Sequence, residues 1–291
     1  MRIAVTGSKG QVATSLLERA GPQLEVLALG RPAFDLTDRG AVIARLEAAR
    51  PDVIVNAAAY TAVDKAEAEE AIAFQVNGEG AGYVAEAAAR LGVPLLHLST
   101  DYVFDGALDR PYREDDPTGP TGAYGRSKLA GEKAVAARCE HSVILRTAWV
   151  YSPFGANFVR TMLRLNQTRD EVGVVADQRG NPTSALDIAD TLISVAARVK
   201  DDSSPALRGI FHMTGSGEGT WADFAQAVFR EAEARGRRAT SVKRIATADY
   251  PTPAHRPANS RLDNEKLARV YGLSLPDWRG SVATVCARFL P

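Results

Sequence analysis

Cysteine is scarce in this sequence: Cys139 and Cys286 are the only two in 291 residues. They lie far apart and outside any C-x-x-C spacing, which argues against a disulfide framework, a thiolate zinc site and a dithiol redox motif, and leaves inert packing in a reducing compartment. Histidine is nearly as rare. His97, His141, His212 and His255 are scattered without H-E-x-x-H or similar spacing, so no catalytic metal is expected. Isolated surface glutamates leave room only for a divalent ion at a subunit contact, and a homodimer is compatible with the sequence. Charge of one sign is also missing. Lys plus Arg and Asp plus Glu both count 35, so no general positive field gathers the phosphates of nucleic acid. Nor does any apolar run approach the roughly 20 residues that span a bilayer. The first residues, Met1 to Gly7, enter a strand pattern without the basic and apolar regions of a signal peptide. The expectation is a soluble, cytoplasmic protein with neither nucleic acid nor membrane as partner.

What is present is an ordinary globular composition, 45% hydrophobic and 24% charged, in a chain long enough for a cofactor domain with a smaller companion. Apolar runs of strand length recur at Ile3 to Thr6, Val26 to Leu29, Val53 to Ala57, Leu95 to Leu98 and Val143 to Leu145. Helical patterns fall between them at residues 11–20, 38–50, 66–91 and 123–138, and a short further strand is expected to close at Asp35-Leu36. This alternation predicts an α/β fold, a Rossmann-type doubly wound parallel sheet with right-handed crossovers. After Trp149 breaker-rich loops become frequent. The expected division is a dinucleotide-binding domain over 1–150, with later segments returning to it, and a smaller, irregular substrate-binding lobe over most of 151–291.

Thr6-Gly7-Ser8-Lys9-Gly10-Gln11-Val12-Ala13 follows the first strand and opens the first helix. Gly7 permits a tight turn, and Gly10 lets a pyrophosphate approach the backbone. Gln11 and Val12 bring the free N–H groups of a helix start, and Ala13 stands at the third glycine position. The second strand ends in Gly30-Arg31, without the acid that would bind an unphosphorylated adenosine ribose. Arg31 can pair with a 2′-phosphate instead, which tilts the expectation toward NADPH over NADH. Asp35 and Leu36 are candidates to contact the adenine, and the small residues Ala57, Ala58 and Ala59 suit a backbone lying against a flat ligand. Each has a plainer reading as turn or packing.

Tyr124 and Lys128 are four residues apart and share one face of a helix. A cation beside the phenol favours the phenolate and brings its pKa toward the working range. Thr100, just past the strand ending at Leu98, can present a hydroxyl to the same substrate carbonyl, at the carboxyl edge where open sheets bind ligands. Thr100, Tyr124 and Lys128 are therefore the candidate catalytic residues.

On these motifs the chain resembles the dTDP-4-dehydrorhamnose reductase family of extended short-chain dehydrogenases. The likeness continues through Val53 to Glu67, Ser99 to Gly106, Arg146 to Tyr151, Gly180 to Thr183, Arg256 to Asp263 and Leu275 to Trp278. It implies NAD(P)H-dependent reduction of a dTDP-linked 4-keto sugar, dTDP-4-dehydro-β-L-rhamnose. It also implies that Asp101 and Trp149 line the sugar pocket. Ala13 departs little from the family pattern, whereas Gly30-Arg31 leaves NADH against NADPH open. A nucleotide-sugar epimerase or dehydratase that retains its NAD, and a non-catalytic regulatory subunit, are the alternatives.

Overall fold

Strands buried on both faces need cover on both faces, and the chain supplies it by alternating strand with helix. The computed structural model describes residues 1–290. Its first half runs β1 (Arg2–Thr6), α1 (Gln11–Leu17), β2 (Glu25–Leu29), α2 (Arg39–Ala49), β3 (Val53–Asn56), α3 (Val63–Ala66), α4 (Glu70–Phe74), a π-helical turn (Gln75–Glu79), α5 (Gly80–Leu91), β4 (Leu95–Thr100), a 3₁₀ turn (Asp101–Val103), α6 (Ala123–Arg138) and β5 (Ser142–Thr147). The second half continues with β6 (Val150–Tyr151), α7 (Phe158–Asn166), β7 (Glu171–Val175), β8 (Arg179–Gly180), β9 (Thr183–Ser184), α8 (Ala185–Asp201), β10 (Gly209–His212), β11 (Gly219–Thr220), α9 (Trp221–Ala234), β12 (Ser241–Ile245), α10 (Glu265–Tyr271) and α11 (Trp278–Phe289).

Six strands form one sheet in the order β10-β5-β4-β3-β1-β2, every neighbouring pair parallel. The fold is thus the doubly wound α/β class that the strand and helix alternation predicts. The strand order reverses between β1 and β3, and the crevice at such a switch point is where open sheets take their ligands. Alternate side chains cover opposite faces. Ile3, Val5, Val53, Val55, Leu96, Leu98, Val143 and Leu145 meet Val12 and Leu16 of α1 and Ile188, Leu192 and Val195 of α8. Ala4, Ile54, Leu95 and Ile144 meet Val42 and Leu46 of α2, Val84 and Ala88 of α5, and Val135 of α6. Burying each large aliphatic side chain contributes roughly 1.5–3 kcal/mol, so these two layers dominate the stability of the sheet.

α8 shows how the sequence makes one of those layers. Ile188, Leu192, Val195 and Val199 recur at helical spacing on its buried face, and the Ser184 hydroxyl caps its start by accepting from Leu186 N at 3.2 Å. The chain has by then crossed back to the large sheet, and β10 becomes its edge. A separate core joins α7, α9 and α11 through Val159, Met162, Phe224, Val228, Trp278, Val282 and Val285. Here α9 starts on a capping box: Thr220 Oγ1 accepts from Asp223 N at 3.1 Å while the Asp223 carboxylate accepts from Thr220 N at 2.9 Å.

Two expectations fail. The helix expected over 66–91 is interrupted at 67–69: α3 ends at Ala66, and α4, the π turn and α5 run without a gap from Glu70 to Leu91. The break frees Glu67, whose carboxylate accepts from Ala123 N at 2.8 Å and so caps α6 in place of Gly122, which has no side chain to do it. No strand closes at Asp35-Leu36 either. Pro32 offers no N–H to a ladder, Phe34 N turns back to Gly30 O at 3.1 Å, and Asp35 Oδ1 folds onto Thr37 N at 2.9 Å.

Candidate active site

The glycine loop is held by backbone contacts that leave no room for side chains. Gly7 has φ +91°, and a Cβ there would lie 3.2 Å from Ala58 Cα. A Cβ on Gly30 would lie 2.2 Å from Ser8 Oγ. Gly7 N donates to Leu29 O at 2.7 Å, and Gly10 N donates to Gly7 O at 2.8 Å, which closes the turn into α1. Beneath it, a directional row of polar groups crosses β1, β3 and β4. Ala58 N donates to Thr6 Oγ1 at 3.0 Å, Thr6 Oγ1 to Asn56 Oδ1 at 2.7 Å, and Asn56 Nδ2 lies 3.0 Å from His97 Nδ1. Asn56 Nδ2 can only donate, so His97 Nδ1 accepts and the ring proton falls on Nε2, which is buried without a hydrogen-bond partner. Burial, then the Lys128 charge, holds the His97 imidazole well below its ordinary pKa, so it stays neutral.

One cleft of about 800 Å³ lies above this row. Gly7, Gly10, Gln11, Val12, Arg31, Asp35, Leu36, Ala57, Ala58, Ala59, Tyr124 and Lys128 all line it, together with Ser8, Lys9, Ile72, Val76, Gly155 and Ala156, which the sequence did not single out. A cavity of about 1030 Å³ between α6, β5 and α10 is larger, but neither Tyr124 nor Lys128 lines it and both line the smaller one, so chemistry favours the smaller one, although Thr100 lines neither. Two of the lining residues are partly committed elsewhere. The Gln11 carbonyl accepts from Ser152 Oγ at 2.8 Å and Asn157 Nδ2 at 3.2 Å, while Asp35 Oδ1 takes both the N–H and the hydroxyl of Thr37 at 2.9 Å, which lowers its pKa.

Tyr124 and Lys128 project from the first turns of α6. That helix start lies directly on the 3₁₀ turn after β4, where a Cβ on Gly125 would be 2.2 Å from Tyr102 O. The rings of Tyr102 and Tyr124 meet edge to face at 5.6 Å. Thr100 Oγ1 donates to Asp101 Oδ1 at 2.9 Å, and Asp101 Oδ2 is buried with no hydrogen-bond partner. Lys128 Nζ donates to Leu98 O at 2.7 Å.

The electrostatics differ from the simple expectation that Lys128 lowers the Tyr124 pKa. Burial, then the Asp101 charge, pushes the phenol above its ordinary range, against a smaller opposing effect of the Thr100 hydroxyl. The Lys128 ammonium is engaged with Leu98 O instead. Burial lowers Lys128 to about 8, with Glu132 opposing, and burial raises Asp101 to about 6. The phenol is therefore protonated at neutral pH, the state a proton donor needs.

Trp149 stands apart from the cleft. It has φ +47°, its ring stacks on Trp221 at 3.7 Å, and a Cβ on Gly180 would lie 2.5 Å from that ring. Trp221 in turn donates from Nε1 to Gln178 Oε1 at 3.1 Å. No sequence pattern links positions so far apart, and Trp221 was missed for that reason. Asn77 was missed too: it sits in the π turn, accepts from Tyr60 N at 2.7 Å and donates to Ser127 Oγ at 2.9 Å, joining the loop after β3 to α6.

Among known proteins, the family described as the RmlD substrate binding domain matches residues 1–290. The chain belongs to this family. Its relatives include a dTDP-4-dehydrorhamnose reductase of Sinorhizobium fredii, 56% identical over 97% of this chain and 95% of that protein. One from Burkholderia thailandensis is 47% identical over 100% and 99%. A crystal structure of such a reductase from Clostridium acetobutylicum superposes with a TM-score of 0.92 at 36% identity, covering 99% of both chains. Another family structure, from Bacillus anthracis and in complex with NADP, gives 0.90 at 33% identity over 98% of both. Among the described residues of this chain, no group of three or more His, Cys, Asp and Glu side chains is placed to hold a metal ion, and no helix is long and apolar enough to cross a membrane.

Proposed function

We propose that this chain reduces dTDP-4-dehydro-β-L-rhamnose to dTDP-β-L-rhamnose with NADPH. The observation that carries the reading is the opening of Tyr124 and Lys128 into the same cleft as Gly7 and Gly10. Its cradle fits a dinucleotide. Side chains are absent where a pyrophosphate must approach, the first N–H groups of α1 have no side-chain cap, and Arg31 is exposed at the rim for a 2′-phosphate. In this reading residues 1–150, rejoined by α8 and β10, bind the dinucleotide, and most of the remaining chain faces the sugar.

When bound, the reduced nicotinamide supplies the hydride to C4 of the sugar. The protein's task is then to hold the reactants and to manage one proton. Tyr124, protonated because burial and Asp101 disfavour its phenolate, donates to the C4 oxygen as charge develops there. Thr100 donates a second hydrogen bond to the same atom, stabilising the transition state more than the neutral ketone. Lys128 holds the nicotinamide ribose. Asp101 and Trp149 bound the sugar.

The test is a spectrophotometric assay of NADPH oxidation with the 4-keto sugar, with NADH in parallel. One NADPH consumed per dTDP-β-L-rhamnose formed is the expected result. Conversion without net cofactor consumption would replace the reading with an epimerase or dehydratase cycle, and no conversion would remove it.

A further inference from the structure

Tyr124, Lys128 and Glu132 are spaced four and four along α6, so all three lie on the face that meets the sheet. The first two belong to the proposed reaction. Glu132 is 3% exposed and meets Arg146 of β5, 2% exposed, through two parallel bonds, Nε to Oε1 at 2.9 Å and Nη2 to Oε2 at 2.8 Å. Ser99 Oγ donates to the same Oε1. Ser99 and Arg146 are register partners on β4 and β5, so two strands grip one carboxylate. The preceding residue of β4, Leu98, receives Lys128 Nζ. Consecutive positions of a single strand therefore hold α6 at Lys128 and again one turn further on.

We propose that Glu132 is a positioning residue: clamped by Ser99 and Arg146, it fixes the placement of α6 on the sheet and thereby the places of Tyr124 and Lys128 in the cleft. The inference rests on the reductase reading. A requirement for stability alone would not select this arrangement, because an apolar pair of similar volume in place of a buried ion pair is often as stable or more so. What a bidentate pair adds is direction, since its fork geometry accepts one orientation. The flank of α6 that meets the π turn is pressed equally close, as a Cβ on Gly131 would lie 2.2 Å from Asn77 O. Glu132 is also the anion that supports the buried Lys128 ammonium.

The decisive variant is Glu132→Leu combined with Arg146→Met, which keeps volume and removes both charges of the clamp. Because it also takes the anion from beside Lys128, kcat is followed against pH, where lost placement lowers it at every pH and a lost Lys128 charge is recovered at lower pH. Thermal midpoint, NADPH affinity, KM for the keto sugar and kcat are measured beside the wild type. The expected result is a folded protein with near-normal NADPH affinity and KM and a kcat lowered about tenfold or more, as misplacement of an acid by a fraction of an ångström produces. A folded double variant with wild-type kcat overturns the proposal. If the double variant does not fold, Ser99→Ala decides: several-fold lower kcat at an unchanged thermal midpoint supports the clamp, and wild-type kcat refutes it. A wild type that does not turn over the keto sugar sinks the reductase reading instead, which separates the two failures.

Discussion

The cleft over the large sheet and the aromatic wall around Trp149 are built by opposite means. The cleft is made of backbone: Gly7, Gly10, Gly30 and the alanines at 57–59 leave main chain exposed at the carboxyl ends of parallel strands. The wall is made of large side chains, Trp149 on Trp221 at 3.7 Å and Phe158 against Trp221 at 4.8 Å and Phe224 at 4.9 Å. A ligand that every member of a fold class shares can be met by main chain, whose geometry the fold fixes. In the proposed reading the sugar is met by side chains, which can change without disturbing the sheet.

The largest effect is expected at Tyr124 in the cleft. Tyr124→Phe should lower turnover by about 10²- to 10⁴-fold, the usual worth of a positioned acid, while NADPH titration by fluorescence shows ordinary binding. Normal turnover would take Tyr124 out of the chemistry. Next in size, Gly7→Ala forces a side chain into φ +91° against Ala58. It should cost roughly 1–3 kcal/mol and weaken NADPH about tenfold or more, read by thermal melting and titration. Unchanged affinity would mean that the cleft tolerates a side chain where main chain is claimed to do the work.

Asp101, bonded to Thr100, titrates. Its folded pKa, raised from 3.8 to about 6, means that the native state holds the proton more tightly. The stability this contributes is fully present below the unfolded value and lost as pH rises through about 6. Asp101→Asn should therefore gain on the wild type across that window, by about 3 kcal/mol in denaturant titrations at successive pH values. A constant difference would place the carboxyl at its ordinary pKa. The smallest effect is expected on the wall: Trp221→Phe shortens the stack and loses the bond to Gln178. It should raise KM for the sugar about two- to tenfold, the scale of an aromatic pair, with NADPH affinity unmoved. A change in NADPH affinity would show that the two regions are not separable.

The same contrast explains what could be read in the chain. Strand and helix alternation, G-x-x-G after β1 and the four-residue spacing of Tyr124 and Lys128 are local patterns, and the architecture follows from them. The row from Thr6 through Asn56 to His97 was invisible because only strand register brings those three together. The helix expected over 66–91 looked continuous because alanine favours helix wherever it falls. Its break and its π turn are decided by partners elsewhere, Glu67 reaching α6 and Asn77 reaching Tyr60 and Ser127. Asp35-Leu36 looked like strand because no local pattern shows that Thr37 would claim the Asp35 carboxylate. The sign of the Tyr124 shift was missed for a similar reason: proximity of a cation can be read from spacing, whereas burial and the orientation of Lys128 toward Leu98 O cannot.

Gln11 has a mechanical consequence of its own. It occupies the first turn of the helix behind the glycine loop, yet its amide carbonyl is filled by Ser152 and Asn157, and its Nε2 reaches Val150 O at 3.4 Å. Residues 150–157 therefore cannot swing away from the loop without stripping a part-buried acceptor, at a penalty of roughly 1–3 kcal/mol. The segment between β6 and α7 is thus fastened at the very loop proposed to grip the phosphates.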